Sequence, residues 1–365
     1  MADAINFTPD APIRCRDFRI GCVGAGFIMA DIHLAAYHEA GFPIAAIASR
    51  SRDKAASVAE RWNIPVVHET PEALIAAGGF EILDIAYPPH QQPALIRQAL
   101  TQPDIRAILA QKPLALDLAT AETLVAECRA AGKILSVNQN MRFDQSMRVL
   151  KQVLDHGALG TPVIASIDMR ATPHWQPFLR EYGRLTLLNM SIHHLDVLRH
   201  LFGEVEAIST TVRSDPRTEF AHQDGICIST LTFRSGLIAL SLEDVWAGPR
   251  AEGYDGDIYI KWRVEGTAGI AQGSIGWPDY PHGSPSTFRY ASQATTGGRW
   301  VEPRWTTRWF PQAFAGVMEQ LQYALASDTR PVLNGEDNLA TMALVEAAYR
   351  SAAEQRTVKL SEFGY

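Results

Sequence analysis

The residues of this sequence that invite a chemical reading begin at Gly24-Ala25-Gly26-Phe27-Ile28-Met29. An apolar run, Phe18–Val23, precedes them and a helically spaced segment follows, so the glycines sit in a strand-turn-helix context. Gly24 permits a tight turn. Gly26 lets the main chain approach a pyrophosphate, which the free N–H groups and dipole of a helix N-terminus favour. Gly24, Gly26, Phe27 and Ile28 are the candidate pyrophosphate contacts. The third residue of the G-x-G-x-x-G pattern is Met29, or Ala30 if the register shifts by one, where a small residue is wanted for close helix–strand packing. The alternative is an ordinary glycine turn; the β-α-β context favours dinucleotide binding.

Further candidates follow later strands. Ser49-Arg50-Ser51-Arg52 stands where an acid would accept hydrogen bonds from an NAD ribose. A serine with a guanidinium suits a 2′-phosphate instead, so NADP(H) is favoured over NAD(H). The alternatives are that these arginines are solvated charges, or that Arg50 stacks on the adenine. The two prolines of Tyr87-Pro88-Pro89-His90 make a stiff loop that could line the nicotinamide riboside or simply lead into a helix. In Gln111-Lys112-Pro113, a lysine at the edge of a sheet beside a cationic nicotinamide would have a lowered pKa and exchange protons near neutral pH. Alone, such a lysine reads as a surface residue. In Asn189-Met-Ser-Ile-His193-His194-Leu-Asp196 the spacing puts Asn189 and His193 on one helix face, while His193 and His194 point apart, so one histidine at most is catalytic. His174 and Trp175 lie in a mixed aromatic and polar stretch suited to a sugar ring, or to a structural surface loop.

These residues need a scaffold that gathers them. Apolar runs at Phe18–Val23, Ile44–Ala48, Ile64–Val67, Ile82–Ala86, Ala107–Ala110 and Ile134–Val137 alternate with helical segments. That pattern predicts an α/β fold with a doubly wound parallel sheet binding its ligand at the strands' carboxyl ends. After Arg142 a helix over Gln145–His156 precedes alternating strands at Val163–Met169, Val205–Val212, Ile226–Phe233, Leu237–Val245 and Ile258–Val264, an antiparallel pattern with one covered face. Gly273–Gly298 reads as loop with short strands, and helices over Gln312–Ser327 and Glu336–Ala353 close the chain. The expected division is an N-terminal extension over 1–17, a dinucleotide-binding domain over 18–140 and a second domain over 141–365.

With 365 residues the chain can fill two cores. A net charge of −7 disfavours a nucleic-acid partner. Cys15, Cys22, Cys128 and Cys227 form no metal-ligand or disulfide pattern, so no metal is expected and a reduced, cytoplasmic setting fits. No apolar run approaches the roughly 20 residues that span a bilayer, so no membrane partner is expected. Met1–Arg16 lacks the apolar region of a signal peptide and reads as a disordered lead-in or as an arm on a neighbouring subunit.

Taken together, Phe18 to about Leu360 resembles the Gfo/Idh/MocA family of oxidoreductases. Gln111-Lys112-Pro113 is similar to the family's E-K-P, and Asn189–Asp196 to its D-x-G-x-H-x-x-D. Asn140-Met-Arg142-Phe143 is similar to N-x-R-[FY] at the domain junction, and Tyr87–His90 to T-P-x-H. The resemblance implies an N-terminal Rossmann domain and a C-terminal α/β domain with a large, mostly antiparallel sheet that makes the oligomer interface, hence a homodimer or homotetramer. It implies NAD(P)-dependent hydride transfer at a hydroxyl/carbonyl carbon of a sugar, polyol or cyclitol. Lys112 would be catalytic, His193 would hold or relay the substrate's proton, and Asn189 would stand where an aspartate is usual. Gln111, Lys112 and Asn140 join the cofactor contacts, and Arg142 the substrate contacts. Arg142, Arg180 and Arg184 show no pattern for an anion, which favours a neutral substrate. Gln111 in place of glutamate leaves no charge beside Lys112, and Asn189 cannot serve as a base. The alternatives are a non-catalytic NAD(P)-binding sensor or scaffold, and an enzyme using tightly bound NAD for transient oxidation.

Overall fold

The computed structural model of the chain describes residues 5–171, 177–245, 258–276 and 283–365. The chain divides into two units, one built from residues 11–140 and 310–342, the other from 1–10, 141–309 and 343–365.

In the first unit β1 (Ile20–Val23), β2 (Ile44–Ala48), β3 (Val66–His68), β4 (Ile82–Ile85), β5 (Ala107–Ala110) and β6 (Ile134–Val137) form one parallel sheet in the order β3-β2-β1-β4-β5-β6. β1, β4 and β5 are buried along their whole length, as a sheet covered on both faces requires. The covering helices are α1 (Leu34–Ala40), α2 (Arg52–Trp62), α3 (Pro71–Ala77), α4 (Gln92–Leu100) and α5 (Leu118–Ala130). Short polar residues set where they start: the side chains of Ser51, Thr70 and Asp117 accept the Lys54, Ala73 and Thr120 N–H groups. Strand order reverses between β1 and β4, so the turn after β1 lies at the switch point where open sheets bind ligands.

The second unit holds α6 (Gln145–Asp155), β7 (Pro162–Arg170), α7 (Leu179–Tyr182), α8 (Ile192–Phe202), β8 (Val205–Arg213), β9 (Ile226–Phe233), β10 (Ile238–Asp244), β11 (Tyr259–Gly266), β12 (Gly269–Ile275), β13 (Thr287–Ser292) and α9 (Gln293–Thr296). α10 (Ala313–Ser327) then returns to the first unit, α11 (Gly335–Glu354) gives residues to both, and β14 (Val358–Lys359) ends in the second. The sheet order is β13-β12-β11-β7-β10-β9-β8-β14, antiparallel except for the parallel pair β7 and β10. Alternating burial along β9 and β10 marks one covered face. α6 packs on β12 and β13, and α8 packs on β10.

Three features differ from the expected division. Residues 310–342 belong to the first unit, where Gln322 of α10 donates to the Phe18 carbonyl at 2.7 Å and accepts the Phe18 N–H at 3.0 Å. Within the expected lead-in, residues 8–16 make hydrogen bonds to the rest of the chain. Arg148 donates to the Pro9 carbonyl at 2.8 Å, and Arg14 pairs with Glu319 at 2.8 Å. Within Gly273–Gly298 the glycine at 273 serves packing rather than a turn: a Cβ there would lie 2.6 Å from the Trp262 ring of the adjacent strand. Among the described residues no helix is long and apolar enough to cross a membrane.

Candidate active site

The turn after β1 is built for close approach. Gly24 has φ +126°, and a Cβ there would lie 2.9 Å from the Ala86 carbonyl oxygen, so only glycine fits beside the end of β4. Gly26 is exposed and a Cβ on it would meet nothing within 4 Å. A π turn over Ile28–His33 follows and runs on into α1, putting a helix N-terminus behind open space, which fits a pyrophosphate. Met29 is wholly buried in this wider turn, and the Ala30 carbonyl accepts the Trp62 indole N–H at 2.8 Å. The large third residue is thus absorbed into the core.

At the end of β2, Ser49 is buried and Arg50 exposed. The Tyr87 hydroxyl, from the loop after β4, accepts the Arg50 main-chain N–H at 2.9 Å, and the Arg50 guanidinium lies 5.7 Å from the Tyr87 ring centre. Arg52 pairs with Glu69 at 2.5 Å. Pro88 accepts the Gln91 N–H at 3.0 Å, and exposed His90 lies 2.9 Å from the Gln91 amide nitrogen. Asn140 is buried, its amide 3.4 Å from the Asn138 carbonyl.

Lys112 follows β5. Burial lowers its pKa from 10.5 to about 7. The neighbouring main chain is held by the Gln92 side chain, and the Gln111 amide nitrogen lies 2.8 Å from His33 Nε2. His33 in turn lies 2.7 Å from Asp84. The motif reading missed Gln92, His33 and Asp84. One signal was present: Asp84 is an acid inside the apolar strand Ile82–Ile85.

In the second unit a π turn over Leu187–Ser191 carries Asn189 into α8, which carries His193. The Asp224 carboxylate anchors this turn, accepting the Leu185, Thr186 and Leu187 N–H groups at 2.7, 3.1 and 2.7 Å. Asn189 and His193 are almost wholly buried, and the His193 ring meets Trp309 edge-on at 6.0 Å. His194 faces the sheet, 2.7 Å from Glu243 of β10, so the paired histidines do point apart. Arg142, the expected substrate contact, is engaged within its own unit. Its guanidinium makes two 2.6 Å bonds to Asp196, with both side chains buried. Breaking such a pair for a ligand would strand a buried carboxylate at a cost of about 3–5 kcal/mol, so Arg142 acts as a brace for α8. Arg184 pairs with Glu346 at 2.9 Å, and Arg180 lies over Phe220. His174 and Trp175 lie outside the described residues.

A parallel sheet with a glycine turn at its switch point and a half-buried lysine at its carboxyl edge defines a dinucleotide-binding oxidoreductase. Residues 18–139 match the family model described as oxidoreductase family, NAD-binding Rossmann fold, and residues 151–360 match the oxidoreductase family C-terminal alpha/beta domain. The chain belongs to the Gfo/Idh/MocA oxidoreductases. It is 28% identical over 347 residues to a D-apiose dehydrogenase of Paraburkholderia graminis, covering 94% of this chain and 90% of that protein. It is 25% identical over 357 residues to an inositol 2-dehydrogenase of Rhizobium meliloti, covering 94% and 99%. An oxidoreductase from Agrobacterium radiobacter, solved in complex with NAD+, L-tartaric acid and magnesium, superposes with a TM-score of 0.79 at 25% identity, covering 95% of this chain and 99% of that one.

Proposed function

We propose that this protein transfers a hydride between a nicotinamide dinucleotide and the hydroxyl/carbonyl carbon of a sugar, polyol or cyclitol, with Lys112 and His193 handling the proton. The observation that carries the reading is Lys112, whose pKa of about 7 lets its amine take or give a proton at neutral pH. A bound nicotinamide supplies the hydride acceptor or donor. Lys112 Nζ takes the substrate's hydroxyl proton during oxidation and returns it during reduction. Asn189 orients a hydroxyl through its amide and takes no proton. Gly24, Gly26, Phe27 and Ile28 hold the pyrophosphate, and Tyr87, Pro88, His90 and Asn140 line the rest of the cofactor. The names of the apiose and inositol dehydrogenases support a small carbohydrate or cyclitol substrate.

NADP(H) is favoured over NAD(H) because the end of β2 offers Ser49 and an exposed Arg50 and no acid. The free, buried cysteines support a reducing, cytoplasmic setting. The apolar side chains exposed on the eight-stranded sheet support a homodimer or homotetramer.

The test is a panel of aldoses, keto-sugars and cyclitols assayed with NAD and NADP separately, in both directions, at the reduced-nicotinamide absorbance. With the substrate found, Lys112→Met lowers kcat by about 10²–10⁴-fold while cofactor still binds. A near-normal kcat removes Lys112 from the role, and a panel without turnover overturns the reading.

A further inference from the structure

We infer that Gln92 and His33 are positioning residues for Lys112, acting on the main chain and the side chain of Gln111. The inference rests on the reading of Lys112 as the proton-handling residue. Its observations lie within the first unit.

Gln92 opens α4 and is wholly buried. Its Oε1 accepts the Gln111 N–H at 2.6 Å, and its Nε2 donates to the carbonyls of Gln111 and Pro113, each at 3.0 Å. One amide thereby bonds the main chain on both sides of Lys112 and uses both of its donors to do so. Filling the space alone would favour an apolar residue there, because a buried amide costs desolvation that only its hydrogen bonds offset. The bonds Gln92 makes therefore define its role.

His33 ends the π turn and is wholly buried. The groups facing it are Asp84 of β4, Tyr37 of α1, Gln111 after β5, Asn138 after β6 and the Phe314 ring of α10 at 5.0 Å. Asp84 Oδ2 accepts from His33 Nδ1 and from the Tyr37 hydroxyl, each at 2.7 Å. With Nδ1–H given to the carboxylate, Nε2 is the acceptor, and it receives the amides of Gln111 at 2.8 Å and Asn138 at 3.1 Å. Gln111 is thus fixed at both ends, its peptide by Gln92 and its side chain by His33. The segment bearing Lys112 is thereby held at the end of β5, where its side chain is half-buried.

The test reads Lys112 itself and needs no substrate. The full-length protein is trace-acetylated with acetic anhydride between about pH 5.5 and 10, and the Lys112 peptide is quantified by mass spectrometry. Lys133, whose ammonium donates to the Gln102 and Ile105 carbonyls, is the internal reference for an intact fold. The wild-type midpoint for Lys112 is expected near pH 7. Gln92→Met raises it by about a unit or more, as the segment loosens toward water, with Lys133 unchanged. Gln92→Asn, whose shorter neutral amide cannot reach all three main-chain groups, gives a smaller rise, as does Gln111→Met, which releases only His33. These two variants decide the matter if Gln92→Met does not fold. Once a substrate is known, kcat falls about 10–100-fold in the same variants with KM little changed. Wild-type midpoints and rates in all the folded variants overturn the positioning role even where the wild type oxidises a sugar. A shifted midpoint in a protein that turns over no carbohydrate overturns the proposed function and leaves the seat of Lys112 standing.

Discussion

At the scale of the residue, the competition at Lys112 is between burial and charge. Burial lowers its pKa to about 7, and Gln111, the next residue, supplies no carboxylate to pull it back. An amine must be neutral to act as a base, so the oxidative kcat/KM is expected to rise with pH through about 7 and then level off, while reduction shows the opposite slope. Gln111→Glu places a negative charge beside the lysine, which favours the ammonium. The oxidative profile then shifts to higher pH by about one unit, measured as kcat/KM across the pH range. A profile that stays put shows that the side chain at 111 and the amine at 112 are electrostatically separate.

At the scale of the element, each unit carries one of the proposed polar residues on a π turn. His33 ends one and Asn189 sits within the other. Such turns recur at functional sites because the added residue re-aims side chains that a regular helix would direct elsewhere. The π turn before α8 is held by Asp224, which also accepts the Tyr349 hydroxyl at 2.8 Å, so its geometry depends on a carboxylate distant in sequence. Asp144 caps α6 in a comparable way, accepting the Ser146 and Met147 N–H groups at 2.9 and 3.2 Å. Its burial raises its pKa to about 6 against the lowering by its hydrogen bonds. A carboxyl raised in the folded state contributes stability that is fully present below its unfolded pKa and is lost as pH rises through about 6. Asp144→Asn keeps the cap and removes the titration. Urea unfolding of both proteins should therefore show the difference moving in the variant's favour by about 2–3 kcal/mol between about pH 4 and pH 7.5. A difference independent of pH would contradict this.

At the scale of the whole molecule, the larger sheet is covered on one face, while Ile164, Ile228, Ile238 and Leu240 lie exposed on the other. Ile164 and Ile238 are register partners across the parallel pair of β7 and β10, so these side chains form a contiguous patch rather than scattered exposures. The wild type is expected to elute in light-scattering chromatography as a multiple of its 40.2 kDa chain. Ile164→Glu combined with Ile238→Glu and Leu240→Glu should return it to a single-chain mass while leaving cofactor binding in the first unit intact. A monomeric wild type would leave the patch without a second copy to cover it.

Much of this protein is written locally in its sequence. The period of the apolar runs predicted both sheets, because strands buried on two faces and on one face demand different patterns. Gly24 was legible because a glycine between a strand and a helix has few other uses, and Lys112 because it sits in a short motif ending a strand. The partners of those residues were not legible. Gln92, His33 and Asp84 are polar residues spread over three elements, and nothing local says that β4, α4 and the π turn bring them to the end of β5. The return of residues 310–342 to the first unit, the Arg142–Asp196 brace and the exposed face of the larger sheet are likewise products of packing. The sequence by itself determined the kind of sheet and the residue types offered at its edge, since propensity and burial act over a few residues. Only the tertiary structure decided which polar groups are spent on one another and which amine is half-buried, because desolvation and hydrogen-bond geometry depend on neighbours distant in the chain.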